Sequence, residues 1–122
     1  MEHLNFNEKW RRRTKQLAVD LIKMYSKMKK TDEVRIIGKQ LLRSATSVAA
    51  NFRAYCRGRS QRERFAKLCI VVEEADETLF WLEILEDTEL RSAAELKPFQ
   101  AEALEVLKIM SSTRKRLKSP NP

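Results

Sequence analysis

Apolar residues recur along the chain at alternating four- and three-residue intervals, the period of a helix with one face in a core. The first stripe runs Trp10, Thr14, Leu17, Leu21, Met24 and Met28, with Ala18, Ile22 and Tyr25 widening it into a core-facing band. A second runs Val34, Ile37, Leu41, Ala45, Val48, Phe52 and Tyr55. The third, Phe65, Leu68, Val72, Ala75, Leu79 and Leu82, has Cys69, Val71, Trp81, Ile84 and Leu85 beside it. The fourth is Leu96, Phe99, Ala103, Val106, Met110 and Leu117. These stripes predict four helices over about 6–30, 33–57, 61–87 and 96–118.

Start and stop signals fit that division. Asn5, with Glu8 three residues on, is placed to cap the first helix, and Asp32 the second. Gly58 is expected to close the second helix in the left-handed conformation that glycine tolerates. Ser60 and Glu63 then form an S-x-x-E box that opens the third. The fourth has two candidate starts: Pro98 in its first turn, where a missing N–H costs little, or an earlier box at Ser92 and Glu95. Short connections join neighbouring antiparallel helices, so the expected architecture is an all-α, antiparallel up-down-up-down four-helix bundle, one domain over 1–122. With two glycines and three prolines in 122 residues, few breakers interrupt it.

Charge adds a direction. The chain has 25 Lys and Arg against 17 Asp and Glu, a formal net charge of +8 and a pI near 9.8. That balance favours a polyanionic partner: nucleic acid first, with anionic membrane or acidic protein behind. An up-down-up-down bundle brings the start of helix 1, the end of helix 2, the start of helix 3 and the end of helix 4 to one pole. Those segments carry Lys9, Arg11, Arg12, Arg13 and Lys15; Arg53, Arg57, Arg59, Arg62, Arg64 and Lys67; and Arg114, Lys115, Arg116 and Lys118. Together they hold fifteen of the 25 cations, and all but Lys9, Lys67 and Lys118 are taken as candidate nucleic-acid-binding residues.

Eight acids and no cation lie between Glu73 and Glu89, which predicts polarisation along the bundle axis. Cations at helix N-termini oppose the helix dipole by ~0.3–1 kcal/mol each, so stability alone would not place Arg11 to Arg13 at the start of helix 1. Phe52, Tyr55 and Phe65, between the arginines, read as helix core. Trp10 reads as core more strongly than as an exposed stacking surface. Ile70, Val71, Phe80, Trp81 and Ile84 exceed a single stripe on helix 3, which points to self-association.

The chemistry of catalysis and metal binding is missing from the sequence. There is one histidine, His3, and the cysteines, Cys56 and Cys69, form no C-x-x-C pair, so no Cys/His metal site can be assembled. Phosphate-loop, nucleophile-elbow and H-E-x-x-H motifs are absent, and "EEADE" at 73–77 has no histidine to complete a di-metal site. The expectation is a protein that is not an enzyme and takes no cofactor or metal. Arg53, Arg57 and Arg59 lie near Cys56 and would lower its pKa, but a half-buried core thiol is the stronger reading. Arg43, Ser44, Ser47 and Asn51 on helix 2, with Glu74 and Glu83 on helix 3, suggest a buried polar network that fixes register. No apolar run approaches the ~20 residues of a membrane span, and the N-terminus lacks the apolar region of a secretory signal. A cytoplasmic protein with reduced thiols and no membrane association is expected.

Residues 40–85, "QLLRSATSVAANFRAYCRGRSQRERFAKLCIVVEEADETLFWLEIL", resemble a bacterial four-helix bundle family. That family includes 23S rRNA intervening sequence proteins and the accessory variability determinant of diversity-generating retroelements. Its pattern, "QLRRAxxSIxANIAEG" followed by a basic helix start and a helix ending "L-x-E-L/T", is met by "QLLRSATSVAAN", by Ser60 and Phe65, and by "EEADETLFWLEIL". The chain departs where "IAEG" becomes "FRAYCRG", with Phe52, Arg53, Ala54 and Tyr55 in place of the usual residues. The resemblance implies a ring-shaped homopentamer of bundles around a central channel, a basic surface that binds nucleic acid, and no catalytic activity. Charge and resemblance together lead to a basic oligomeric bundle that binds RNA or other nucleic acid through phosphate contacts. The alternative is a protein-interaction adaptor for a nucleic-acid enzyme such as a retroelement reverse transcriptase.

Overall fold

Four helices carry the chain: α1 (Glu2–Ser26), α2 (Asp32–Cys56), α3 (Gln61–Asp87) and α4 (Ala93–Leu117). The structure, a computed structural model, describes residues 2–117, with side chains from residue 5 onward. His3 as a side chain and Lys118 therefore lie outside the described residues. Each helix packs against two others, α1 and α3 both against α2 and α4, and among the described residues the diagonal pairs do not meet. Cross-helix bonds fix the directions. Gln61 Nε2 donates to the Leu117 carbonyl (2.8 Å), putting the start of α3 at the end of α4. At the opposite end, Gln100 Nε2 donates to Glu86 Oε1 (2.7 Å). The molecule is an antiparallel four-helix bundle.

The predicted stripes form its core. Trp10, Thr14, Leu17, Leu21, Met24 and Met28 are all buried, as are Val34, Ile37, Leu41, Ala45, Val48 and Phe52. The apolar interior divides into two clusters. The upper one, at the basic pole, joins Trp10, Val48, Phe52, Leu68, Val106 and Met110. The lower one joins Leu21, Met24, Leu41, Leu82, Leu85 and Leu96. Buried hydroxyls sit on all four helices: Thr14 donates to the Trp10 carbonyl (2.8 Å), Thr78 to Ser44 Oγ (2.9 Å) and Thr113 to the Ile109 carbonyl (2.7 Å). Ser44 in turn donates to the Leu41 carbonyl (2.9 Å), so these buried groups are satisfied.

The polar network is narrower than its pattern suggests. Arg43 reaches α3 through Glu74 (3.3 Å) and Glu77, and Ser44 through Thr78. Asn51 turns back onto Ser47 of its own helix, and Glu83 is exposed. Four side chains also change place. Ile22 is exposed rather than in the core, because α1 turns that face into an open groove beside α2. Val71 is fully buried, and Trp81 and Ile84 pack on the lower cluster, so of the surplus on α3 Phe80 is the large side chain left exposed.

The helix ends correct several expectations. α1 begins at Glu2, which puts Asn5 inside the helix rather than at its cap. Thr31, not Asp32, caps α2: its hydroxyl accepts from the Val34 N–H (3.2 Å), leaving Asp32 and Glu33 in the first turn, where the dipole favours acids. Ser60 caps α3 by accepting from the Glu63 N–H (3.0 Å), while the Glu63 carboxylate accepts from the Arg59 N–H (3.0 Å). For α4 the earlier start prevails. Ser92 accepts from the Glu95 N–H (3.2 Å) and donates to its carboxylate (2.9 Å), so Pro98 stands in the second turn.

Gly58 does not take the left-handed conformation; among the described residues only Glu89 does, at φ 59°. There the Leu90 N–H reaches the Leu85 carbonyl (3.2 Å) and the Glu89 N–H the Glu86 carbonyl (3.0 Å), a Schellman closure of α3. Gly58 gives room instead. A Cβ there would lie 2.3 Å from Arg64 Cγ, whose stem crosses the α2–α3 corner.

Candidate nucleic-acid interface

The twelve candidate cations separate into three settings. Arg11, Arg12 and Lys15 of α1 face Arg53 and Arg57 at the end of α2 across a surface groove of about 700 Å³. Farther from the pole the groove is lined by Ala18, Val19, Ile22, Ala49 and Ala50. Small side chains on both helices keep it open, and the helical rise from Arg11 to Ile22 gives it a length of roughly 16 Å. Among the described residues, Arg12 is the one groove cation with an ion pair, to Glu8 one turn away (2.8 Å). That pair is exposed and contributes little. The groove therefore presents concentrated positive charge beside apolar surface.

Arg64 and Arg116 belong to a second setting, a depression of about 610 Å³ at the pole itself. Phe6, Asn7 and Tyr55 line it with them, so all four helix ends meet there. Arg59, Arg62 and Lys115 are exposed on the same pole, and Arg114 is half-buried. None of these six has a carboxylate ion-pair partner among the described residues.

Arg13 has a different role from the one its neighbours suggest. Its guanidinium makes a bidentate pair with Glu102 of α4 (2.9 and 2.5 Å) and also meets Glu105. It lies over the Trp10 ring, 4.1 Å from the centroid. The Glu102 hydrogen bond leads in raising its pKa above the ordinary arginine value. Arg13 closes the seam between α1 and α4, the least extensive helix contact in the bundle. Its Nε and Nη2 are taken by these carboxylates, which leaves the side chain 29% exposed. Trp10 beneath it is 3% exposed, which removes the stacking role and leaves the core role.

The helix-dipole argument also changes. Since α1 begins at Glu2, Arg11 to Arg13 stand beyond its first turn, where the dipole has faded. The argument still holds for Arg62 and Arg64, in the first turn of α3. Nor is the charge arranged purely along the axis. Residues 1–60 hold fifteen cations and five acids, whereas residues 61–122 hold ten cations and twelve acids. Lys23, Lys27 and Lys29 extend the basic surface toward the far end of α1, and twelve of the 17 acids fall within residues 61–122. Along α3, Glu73, Asp76, Phe80, Glu83 and Asp87 form one exposed stripe at helical spacing.

Cys56 borders the pole depression. Burial pushes its thiol pKa up and outweighs the opposing pull of Arg11 and Arg57. The half-buried thiol prevails over the activated one. The depression had only a partial sequence signal: Tyr55 reads as core because it falls on the α2 stripe, yet it is half-buried and lines the cavity. Phe6 and Asn7, from the other end of the sequence, give no local hint of it. Among the described residues no group of three or more His, Cys, Asp or Glu is placed to hold a metal, and no helix is long and apolar enough to cross a membrane.

The 23S rRNA-intervening sequence protein family model matches residues 7–112. The fold is similar to the crystal structure of a protein of unknown function from the S23 ribosomal protein family of Bacteroides thetaiotaomicron VPI-5482. That likeness has a TM-score of 0.80 at 29% identity and covers 89% of this chain and 97% of the other. No curated protein matches.

Proposed function

We propose that this chain, which belongs to the family of 23S rRNA-intervening sequence proteins, binds single-stranded RNA through the α1–α2 groove and catalyses no reaction on it. The carrying observation is the convergence of Arg11, Arg12, Lys15, Arg53 and Arg57 on one groove, with Glu8 as their one carboxylate partner among the described residues. Each cation that neutralises a phosphate releases a condensed counterion, so affinity comes largely from the backbone and falls steeply with salt. The apolar stretch of Ala18, Val19 and Ile22 suits ribose and base edges without reading their identity. The proposed setting is the cytoplasm.

The test removes three groove charges together, Arg11→Gln, Lys15→Gln and Arg53→Gln. Affinity for unrelated single-stranded RNAs should fall about equally, and the slope of log affinity against log salt should flatten by up to ~2, at ~0.7 for each contact. Lys23→Gln with Lys39→Gln, outside the groove on the same two helices, is the charge control and should leave the slope nearly unchanged. Arg13→Gln should lower stability yet leave the slope alone. A triple variant with the wild-type slope would end the groove reading.

We also propose that copies associate through the acidic α3 stripe around Phe80, whose side chain is 48% exposed. A ring, as the resemblance implies, would present several grooves to one strand and raise avidity. Light scattering should give a multiple of 14.3 kDa, reduced to the single-chain mass by Phe80→Glu. A wild-type monomer at micromolar concentration would refute this. The same stripe supports the second reading, an adaptor that docks a basic nucleic-acid enzyme such as a reverse transcriptase.

A further inference from the structure

Gly58 shapes the pole depression. Because it lacks a Cβ, the Arg64 stem lies across the α2–α3 corner and the residue lines the cavity. Arg116 lines the cavity from α4 and is held in place by its own helix, donating to Ser112 Oγ (3.0 Å) and Thr113 Oγ1 (3.5 Å). Both guanidiniums lack an acidic partner among the described residues. Tyr55 is anchored against buried Phe52, centroids 5.4 Å apart, and Phe6 meets the same ring edge-on at 6.5 Å. Asn7 offers both a donor and an acceptor. Burial pushes the Tyr55 phenol up, against the opposing fields of Arg64 and Arg116, so it remains a hydroxyl donor at neutral pH.

We propose that this cavity binds the terminal nucleotide of an RNA strand that ends in a phosphate. The phosphate would lie between Arg64 and Arg116, within reach of the Tyr55 hydroxyl, and the base would lie against Phe6 and Tyr55. The inference rests on the RNA-binding reading above but uses a separate site. Two guanidiniums and a phenol recognise a dianionic phosphate, and aromatic walls add the preference for a base. At about 610 Å³ the cavity falls in the range of single small-ligand sites, so it takes one residue of a strand rather than a length of it. A terminal phosphate also carries more charge than an internal one, with a second ionisation near pH 6.

The experiment compares ten-nucleotide uridine RNAs bearing a 5′-phosphate, a 3′-phosphate or hydroxyls at both ends, each measured by fluorescence anisotropy. One phosphate-ended strand should bind about tenfold more tightly than the hydroxyl-ended strand, and which one identifies the end that is read. Arg64→Gln with Arg116→Gln should abolish that preference while leaving the hydroxyl-ended strand within about twofold of its wild-type affinity. Tyr55→Phe, which removes only the hydroxyl, should reduce the preference about threefold. The groove triple variant should weaken all three strands and preserve the preference.

Equal binding of the three strands by the wild-type protein would overturn the inference and leave the groove reading standing. A preference that survives the Arg64 and Arg116 substitutions would overturn it too. Should no strand bind, the groove reading fails, and uridine monophosphate titrated against the protein decides the cavity by NMR. Shifts of the Phe6 and Tyr55 ring resonances, lost in the double arginine variant, would sustain the inference; their absence would overturn it.

Discussion

Gly38 lies on the face of α2 that meets α1, under the ring of Tyr25. A Cβ at this position would stand 2.0 Å from Tyr25 Cε1 and 2.4 Å from Cδ1. Helix propensity alone predicts that Gly38→Ala stabilises the bundle by about 1 kcal/mol. Packing predicts the opposite sign. Carbon–carbon contacts are ordinarily ~3.5–4.0 Å, so the ring must retreat by roughly 1.5 Å or the two helices must part. The ring is not free to leave without loss. It packs against the lower core cluster and holds the Lys30 ammonium 4.4 Å from its centroid. Overpacking costs ~1–3 kcal/mol and a partly exposed cation–π contact ~0.5–1 kcal/mol. Set against the propensity gain, the net effect is a destabilisation of about 0.5–3 kcal/mol, or a melting temperature roughly 2–12 °C lower. Thermal and urea unfolding by circular dichroism measure it directly. In a Tyr25→Ala background the collision is gone, and Gly38→Ala should become stabilising by about 1 kcal/mol. If Gly38→Ala matched or exceeded wild-type stability with Tyr25 in place, the steric reasoning would be refuted.

Glu89→Gly should stabilise the protein by about 0.5–1 kcal/mol, since it relieves a left-handed residue costing ~1–2 kcal/mol and gives back part of that in unfolded-chain entropy; a lower urea midpoint would contradict this. Cys56, in a Cys69→Ser background, should be alkylated several-fold more slowly than a cysteine peptide near pH 8, with the gap closing at more alkaline pH. The sign follows from burial: the folded thiol pKa is raised, so its contribution to stability is full below the unfolded pKa and is lost as pH rises through the folded one. Alkylation as fast as the peptide would rule out the buried setting.

The periodicity carries most of the architecture because core burial and helical spacing are the same information. Leu17, Leu21 and Met24 are legible as core without any knowledge of their partners. Residues whose roles depend on a distant partner are not legible in this way. Arg13 looks like Arg11 and Arg12 until Glu102, 89 positions on, takes its guanidinium. Gly38 carries no local sign that Tyr25 crosses it, and Glu89 occupies a backbone position that composition would assign to glycine. Ile22 misleads because the α1 band is wider than the core it faces. Caps fail by a residue or a turn where two adjacent side chains are both competent, as at Thr31 and Asp32. The basic pole is legible as composition. Its division into a groove, a depression and a seam clasp depends on packing.

Fifteen cations against five acids within residues 1–60 repel one another whether or not RNA is present. The free bundle is therefore under internal electrostatic pressure across the α1–α2 pair, which added salt relieves over the Debye distance. Stability and RNA affinity should respond to salt in opposite directions: melting temperature rises with ionic strength while binding weakens. A bound polyanion removes the same pressure and also stabilises the folded state by mass action. In the proposed complex the strand is a structural counterion, and that complex should melt later than either charge or core would suggest for the protein alone.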